Sequence, residues 1–172
     1  MNETPQQYTA RMLSLAEGLD SLAILATTPG RVGALLAGRS AGDLQWMPEP
    51  GRWSVAQIVS HFADVEIVLA YRIRTILSAP GGPIQAFDQD AWVTAQHAER
   101  SDAHVSLSLF AAIRASTVRL LGSLTEEELD RFGMHAERGK ESIRHVMRMT
   151  TGHDRNHLAQ IERLVVDARA RG

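Results

Sequence analysis

The sequence predicts an all-α protein, and three observations support that prediction. Four long segments repeat their apolar residues at the helical period of 3.6. Alternating runs of β-branched residues, the usual signal of strands, are absent from the sequence. Two capping boxes, Ser54 with Gln57 and Thr125 with Glu128, mark helix starts. With 172 residues and neither an internal repeat nor a linker, residues 1–172 are expected to form one domain.

The first two predicted helices cover the first half of the chain. The first runs from Pro5 to about Gly38, with a break or kink expected at residues 27–30 because proline there lacks the N–H that a helix needs. The second helix begins at the first capping box, where Trp53 and Ile58 could form a hydrophobic staple. It ends near Ser78, before a segment rich in proline and glycine.

A long connection separates the second helix from the rest of the chain. Residues 79–100 are expected to contain a short helical turn at Gln89–Gln96. A connection of this length either forms the wall of a functional site or serves only as a crossover. The third helix is predicted at Asp102–Ser123 and the fourth at Ser142–Arg169, and residues 133–139 are expected to be a loop.

The most informative pattern is a pair of histidines in the fourth helix. His153 and His157 are four residues apart, so they share one face, and that face is the apolar one. Such a pair can bind one divalent transition metal ion, or each ring can be an ordinary core histidine with its own hydrogen bonds. His61, at the edge of the apolar stripe of the second helix, could complete a site of three ligands with open positions for chemistry. His135, in the predicted loop, could lie at the rim of that site.

Carboxylates near these histidines are further candidates. Asp154 shares the apolar sector of the fourth helix and could orient an imidazole or accept a proton, which makes it the candidate catalytic residue. Glu66 lies in the apolar stripe of the second helix, where a charge needs a partner. That partner is expected to be an arginine such as Arg119 or Arg148, unless Glu66 accepts a hydrogen bond from a ligand imidazole. Asp64 is expected to face solvent.

Composition excludes several classes of function. The net charge of −2 and the pI near 6.4 leave no basic excess, so a broad nucleic-acid interface is not expected. Because the chain has no cysteine, it has no disulfides and no cysteine-ligated metal sites. No leader-like N-terminus and no apolar run of about 18 residues are present, so we expect cytoplasmic residence without membrane association.

Two segments resemble the metal-binding signatures of the DinB/YfiT-like superfamily. Residues 51–66, GRWSVAQIVSHFADVE, resemble the second-helix signature, in which a Trp-Ser cap leads to a metal-binding histidine. Residues 152–161, GHDRNHLAQI, resemble the last-helix signature of two histidines separated by three residues. Residues 87–92 and 131–135 resemble connecting segments of one subgroup, and the similarity extends over about residues 30–165.

The resemblance implies a fold and a range of activities. The implied fold is a four-helix bundle of up-down-down-up topology, with a long crossover between helices two and three and homodimers common. His61, His153 and His157 would hold a divalent transition metal, with Zn²⁺ or Ni²⁺ expected. Characterised relatives include bacillithiol- or mycothiol-dependent S-transferases and a mycothiol-dependent maleylpyruvate isomerase. We therefore expect a metal-dependent transferase, isomerase or hydrolase that activates a small thiol cosubstrate or water. The alternatives are a non-catalytic metal- or ligand-binding bundle with a structural metal, and structural histidines in a protein that acts through a dimer partner.

Overall fold

Four long helices form the body of the protein in a computed structural model that describes residues 3–169. They are α2 (Ser21–Leu36), α4 (Val55–Ser78), α6 (Ala103–Leu121) and α8 (Ile143–Arg169). Both α2 and α4 pack against α6 and against α8. The predicted up-down-down-up bundle is confirmed. Because α4 and α6 then run in the same direction, the chain needs a long crossover between them.

The remaining helical elements are short and lie around this bundle. The first of them, α1 (Pro5–Leu15), packs along α8. The others are α3 (Ala41–Gln45), α5 (Gln89–Ala95), a 3₁₀ turn (Ala98–Arg100) and α7 (Glu126–Leu129). Among the helices of residues 3–169, none combines the length and the apolar composition that a bilayer span requires.

Both predicted capping boxes are formed, which confirms the predicted starts of α4 and α7. The hydroxyl of Ser54 accepts from the backbone N–H of Gln57 at 3.2 Å, and the Gln57 side chain accepts from the backbone of Ser54 at 2.9 Å. Thr125 and Glu128 make the same reciprocal bonds at 3.2 and 2.9 Å. Each box satisfies two backbone donors that a helix start leaves without partners.

The helix continues through residues 27–30, so a break there, one of the two expected outcomes, is wrong. The first predicted helix instead divides into α1 and α2 near Gly18, which has a φ of +70° that glycine adopts without strain. Pro29 lies inside α2, where it has no N–H to donate to the carbonyl of Leu25, four residues earlier. That carbonyl oxygen accepts a hydrogen bond from Nη1 of Arg114 at 3.1 Å instead. A distant side chain therefore compensates the bond that the proline removes.

The loop expected at residues 133–139 is also wrong, because a small sheet lies there. Its strands are β1 (Pro83–Ile84), β2 (Phe132–His135) and β3 (Gly139–Ser142). β2 pairs in parallel with β1 and antiparallel with β3. Gly139, with a φ of +77°, closes the tight turn between β2 and β3. Strands of two to four residues are too short to show an alternating pattern in the sequence.

Two apolar clusters fill the bundle, and a polar layer separates them along the helices. On α4 the first cluster uses residues 55–63 and the second uses residues 69–76. The gap between them contains Glu66, which is fully buried. Arg114 of α6 and Asp154 of α8 occupy the corresponding gaps and are also buried. The candidate site is built beside this layer.

Candidate metal centre

Three histidines from two helices converge inside the bundle. His61 of α4 and His153 and His157 of α8 are 0%, 5% and 9% exposed, and one ligand nitrogen of each lies within 4.8 Å of the others. Nε2 of His61 is 2.9 Å from Nε2 of His153. Two nitrogens that each bind one ion at about 2.1 Å lie about 3.0–3.4 Å apart, so this spacing is close to that of two ligands of a shared ion. The cluster could hold a metal ion, and metal binding itself stays a prediction.

Burial keeps two of these rings neutral at neutral pH. It lowers the pKa of His61 well below its usual 6.5, and the neighbouring rings of His153 and His157 lower it further. Burial and then His153 lower the pKa of His157 to about 3. Nδ1 of His157 lies 3.0 Å from Oε1 of Gln160. A carboxamide oxygen only accepts, so Nδ1 carries the hydrogen and Nε2 keeps its lone pair for a ligand.

Some ring nitrogens of this cluster have no hydrogen-bond partner among residues 3–169. Among residues 3–169, the buried Nδ1 atoms of His61 and His153 have no hydrogen-bond partner. The facing Nε2 atoms of these two rings can share at most one hydrogen between them. Each unsatisfied buried polar atom costs about 1–3 kcal/mol. A cation bound by the two facing Nε2 atoms would remove the conflict between them, so this contact favours a shared cation over ordinary core histidines. Imidazole nitrogens are ligands that suit Zn²⁺ and Ni²⁺.

Aromatic rings form the wall around the three histidines. The ring of Trp53 lies 4.9 Å from that of His61 and 6.2 Å from that of His157, between centroids. Phe62 presents its ring at 5.7 and 5.8 Å from His153 and His157. The sequence suggested only a staple role for Trp53. In the structure it packs on two candidate ligands, which limits their rotation.

Asp154 is anchored by an arginine from the opposite side of the bundle. Its two oxygens accept from Nη1 and Nη2 of Arg114 at 2.6 and 3.2 Å, and its Oδ1 lies 3.8 Å from Nδ1 of His153. Burial opposes ionisation, but the charge of Arg114 prevails and holds the pKa of Asp154 below its usual value. Because the carboxylate is fully buried and already bonded, its placement favours orientation of His153 over acceptance of a substrate proton.

The partner of Glu66 is an arginine, as expected, but it is neither of the two named. Arg119 and Arg148 are exposed to solvent. Nε of Arg114 donates to Oε2 of Glu66 at 2.6 Å. Burial nevertheless raises the pKa of Glu66, against the opposing effect of Arg114. Arg114 shares its buried helix face with Phe110, so a charged residue at core spacing was the signal in the sequence that could have identified it.

Asp64 does not face solvent as expected. It is 6% exposed, and Oδ2 accepts a hydrogen bond from Nε2 of Gln96 at 3.2 Å. Burial raises the pKa of Asp64. Gln96 belongs to the connection between α4 and α6, which folds back onto α4 and covers a side chain that the helix alone would expose.

A cavity of about 710 Å³ reaches the histidine cluster at His153. Its size is that of a small-molecule site. The walls come from α1, α4, α8, the connection after α4 and the β2–β3 hairpin. His135, expected on a loop at the rim, lies on β2, is 3% exposed and lines this cavity. Arg72, Arg138 and Tyr8 also line it.

A helical bundle with three converging histidines beside a cavity defines a class of candidate metalloproteins. Residues 24–161 match the family model described as the DinB superfamily. The chain therefore belongs to the DinB superfamily. This match covers most of α2, all of α4 and α6, and the part of α8 that contains both histidines.

Individual relatives agree with this assignment. An Oceanobacillus iheyensis protein named "Putative metal-dependent hydrolase OB0413" is 27% identical over 136 residues, 79% of this chain and 78% of that protein. A Geobacillus thermodenitrificans protein with the same descriptive name is 27% identical over 161 residues, 92% of this chain and 87% of that protein. The solved structure of YfiT from Bacillus subtilis, a four-helix bundle of unusual topology, superposes with a TM-score of 0.78 at 20% identity, over 95% of this chain and 88% of that one.

Proposed function

We propose that this protein is a metal-dependent enzyme whose ion is held by His61, His153 and His157. The observation that carries the proposal is the convergence of three buried imidazoles at a cavity large enough for a substrate. These three residues would hold a divalent ion, and such an ion would supply a nucleophile near neutral pH, because divalent metals lower the pKa of bound water to about 7 and deprotonate bound thiols. The names of the relatives, metal-dependent hydrolases, support water as the reactant to be activated.

The protein's own groups would prepare the site for this chemistry. The low pKa of His61 and of His157 means that neither ring has to lose a proton at pH 7 before it can act as a ligand. Gln160 selects the tautomer of His157. Arg114 holds Asp154 beside His153, where the carboxylate favours a hydrogen on Nδ1 and leaves Nε2 free.

A second candidate activity is transfer to a small thiol, as in an S-transferase. The cavity, about 710 Å³, has room for a thiol cosubstrate beside an electrophile. The chain has no cysteine, so the thiolate would have to come from that cosubstrate. A non-catalytic bundle with a structural metal remains the alternative, and it predicts an ion whose coordination is completed by protein groups.

One assay separates these possibilities. Protein loaded with Zn²⁺ or Ni²⁺ would be tested for hydrolysis of ester and amide substrates, and for conjugation of thiols to an electrophile. We expect turnover with at least one panel, its loss after chelation, and its loss in His61→Ala. His104→Ala is the matched control, because His104 is an exposed residue of α6. Metal binding without turnover on either panel would favour the structural alternative.

A further inference from the structure

Two donor groups converge on the cavity wall formed by α4 and the hairpin. Nη2 of Arg72, from α4, lies 3.5 Å from Nε2 of His135, on β2. Both residues line the cavity that reaches His153. Arg72 is partly buried and His135 is almost fully buried.

The hydrogen bonds of His135 determine which of its nitrogens carries the hydrogen. Nδ1 accepts from the backbone N–H groups of Glu137 and Arg138 at 3.2 and 3.4 Å. The neutral ring therefore has its hydrogen on Nε2, because the other tautomer would turn an N–H toward two further N–H groups. A guanidinium only donates. Arg72 and Nε2 of His135 are thus two hydrogen-bond donors that face each other, and both need an acceptor.

Within residues 3–169, Arg72 forms no ion pair at 4.0 Å or less, and the charge of Glu141 acts on it only from farther away. Among residues 3–169, its only hydrogen-bond acceptor is the neutral carbonyl oxygen of Gln85. Burial, followed by the like charge of Arg138, lowers the pKa of Arg72 to about 10. Arg138 itself is paired with Glu141 through two bonds at 2.6 and 3.2 Å.

The other acids of the cavity do not satisfy this pair. Glu3, Asp88, Asp90 and Glu137 line the cavity but are exposed to solvent. The partly and fully buried charged groups of the cavity wall are two arginines and the carboxylate of Glu141, which pairs with Arg138, whereas the four exposed carboxylates are screened by solvent. A ligand with one negative charge would match both the charge and the two converging donors.

We propose that Arg72 and His135 form a subsite for the oxyanion of a ligand, a carboxylate or a phosphate group, bound in the cavity beside His153. The subsite would fix one end of the ligand while the remainder extends toward the histidine cluster. That this ligand is the substrate of the metal-dependent reaction rests on the proposed function, but the subsite itself does not require a metal.

The test uses the full-length protein after metal removal with a chelator, so that anion binding is measured apart from metal chemistry. Inorganic phosphate and acetate are titrated separately, and NMR follows the ring signals of His135 while calorimetry gives the affinity. We expect saturable binding of at least one anion with a shift of the His135 Nε2–H signal. Phosphate alone would identify a phosphate group, and acetate alone a carboxylate.

Variants assign the binding to the subsite. Arg72→Met should weaken the affinity at least about tenfold, because it removes a charged donor. Arg74→Met is the matched control, because Arg74 lies on the same helix but bonds Ser116 of α6. The anion affinity of this variant should equal that of the wild type. His135→Asn provides a second variant if Arg72→Met unfolds. No saturable binding of either anion to the wild type, or equal affinity in Arg72→Met and the wild type, would overturn the proposal. Equal loss in the Arg74→Met control would do the same.

Discussion

Arg114 donates two hydrogen bonds to Asp154, at 2.6 and 3.2 Å, where the two side chains are 1% and 0% exposed. The same guanidinium binds Glu66 and the carbonyl oxygen of Leu25, so it joins all four bundle helices through one group. Its charge also lies 4.7 Å from the centre of the Phe110 ring. A single side chain thus positions Asp154, the residue next to His153. It also donates to the carbonyl oxygen that Pro29 leaves without a partner in α2.

Arg114→Met should lower the free energy of unfolding by about 3–5 kcal/mol, because it leaves two buried carboxylates without their partner. The measurement is urea unfolding of the metal-free protein at pH 7. Arg119→Met, an exposed arginine on the same helix, should change stability by less than about 0.5 kcal/mol. A loss below about 1 kcal/mol in Arg114→Met would show that the buried ion pairs are not maintained in solution.

Asp154→Asn should reduce metal affinity about tenfold or more, because groups that orient a ligand imidazole typically contribute that much. The loss in free energy of unfolding should be smaller than in Arg114→Met, because Arg114 keeps the carboxylate of Glu66 as a partner for its charge. Competition against a chromophoric chelator measures the affinity, and urea unfolding measures the stability. Unchanged affinity for both Zn²⁺ and Ni²⁺ would remove Asp154 from any role at the site.

Acid should destabilise the metal-free protein through its buried histidines. The pKa of His157 is about 3 in the folded protein, against a usual 6.5. Below pH 6.5 the unfolded chain takes up a proton that the folded protein does not. The free energy of unfolding therefore decreases as the pH falls from 6.5 toward 3, and His157 contributes about 1.4 kcal/mol per pH unit to that decrease. His61 has the same direction of shift.

Substitution tests this dependence. His157→Gln should reduce the slope of unfolding free energy against pH by about 1.4 kcal/mol per pH unit between about pH 6 and pH 4. His104→Gln, which alters an exposed ring, should leave the slope unchanged. If wild type and His157→Gln have equal slopes in the presence of chelator, then His157 is not held neutral by burial.

Gly152, the residue before His153, allows α1 to lie directly against α8. A Cβ at this position would be 1.9 Å from the carbonyl oxygen of Met12. Gly152→Ala should therefore destabilise the protein by about 1–3 kcal/mol or more, because backbone must move. Gly30→Ala is the control, because nothing lies within 4 Å of its Cβ position in α2. Gly30→Ala should raise the free energy of unfolding by about 0.5–1 kcal/mol in thermal or urea unfolding. If Gly152→Ala and Gly30→Ala changed stability equally, the close packing of α1 on α8 would be contradicted.

Features encoded within one helix could be predicted from the sequence. The start of α4 follows from Ser54 and Gln57, which lie three residues apart and interact with each other. His153 and His157 share a face because the helix places residues four apart together. The bundle and its topology followed from resemblance to a family whose signatures contain these same residues.

Features that depend on distant contacts could not be predicted in this way. Pro29 disfavours a helix in isolation, and the carbonyl that it leaves without a donor is bonded by Arg114, 85 positions later. The residues named as partners of Glu66 and the exposure expected for Asp64 were wrong for the same reason, since helical periodicity gives a face but not the neighbour that covers it. His135 entered the cavity wall through a pairing of very short strands that carries no periodic signal.

The most direct test is an anomalous difference map from crystals of protein purified without a histidine tag and without nickel resin, collected at the absorption edge of the metal found by elemental analysis. We expect one strong peak per chain, about 2.1 Å from a nitrogen of each of His61, His153 and His157, with a position open toward the cavity. A map with no peak at these three rings, from protein supplied with Zn²⁺ and Ni²⁺, would contradict it.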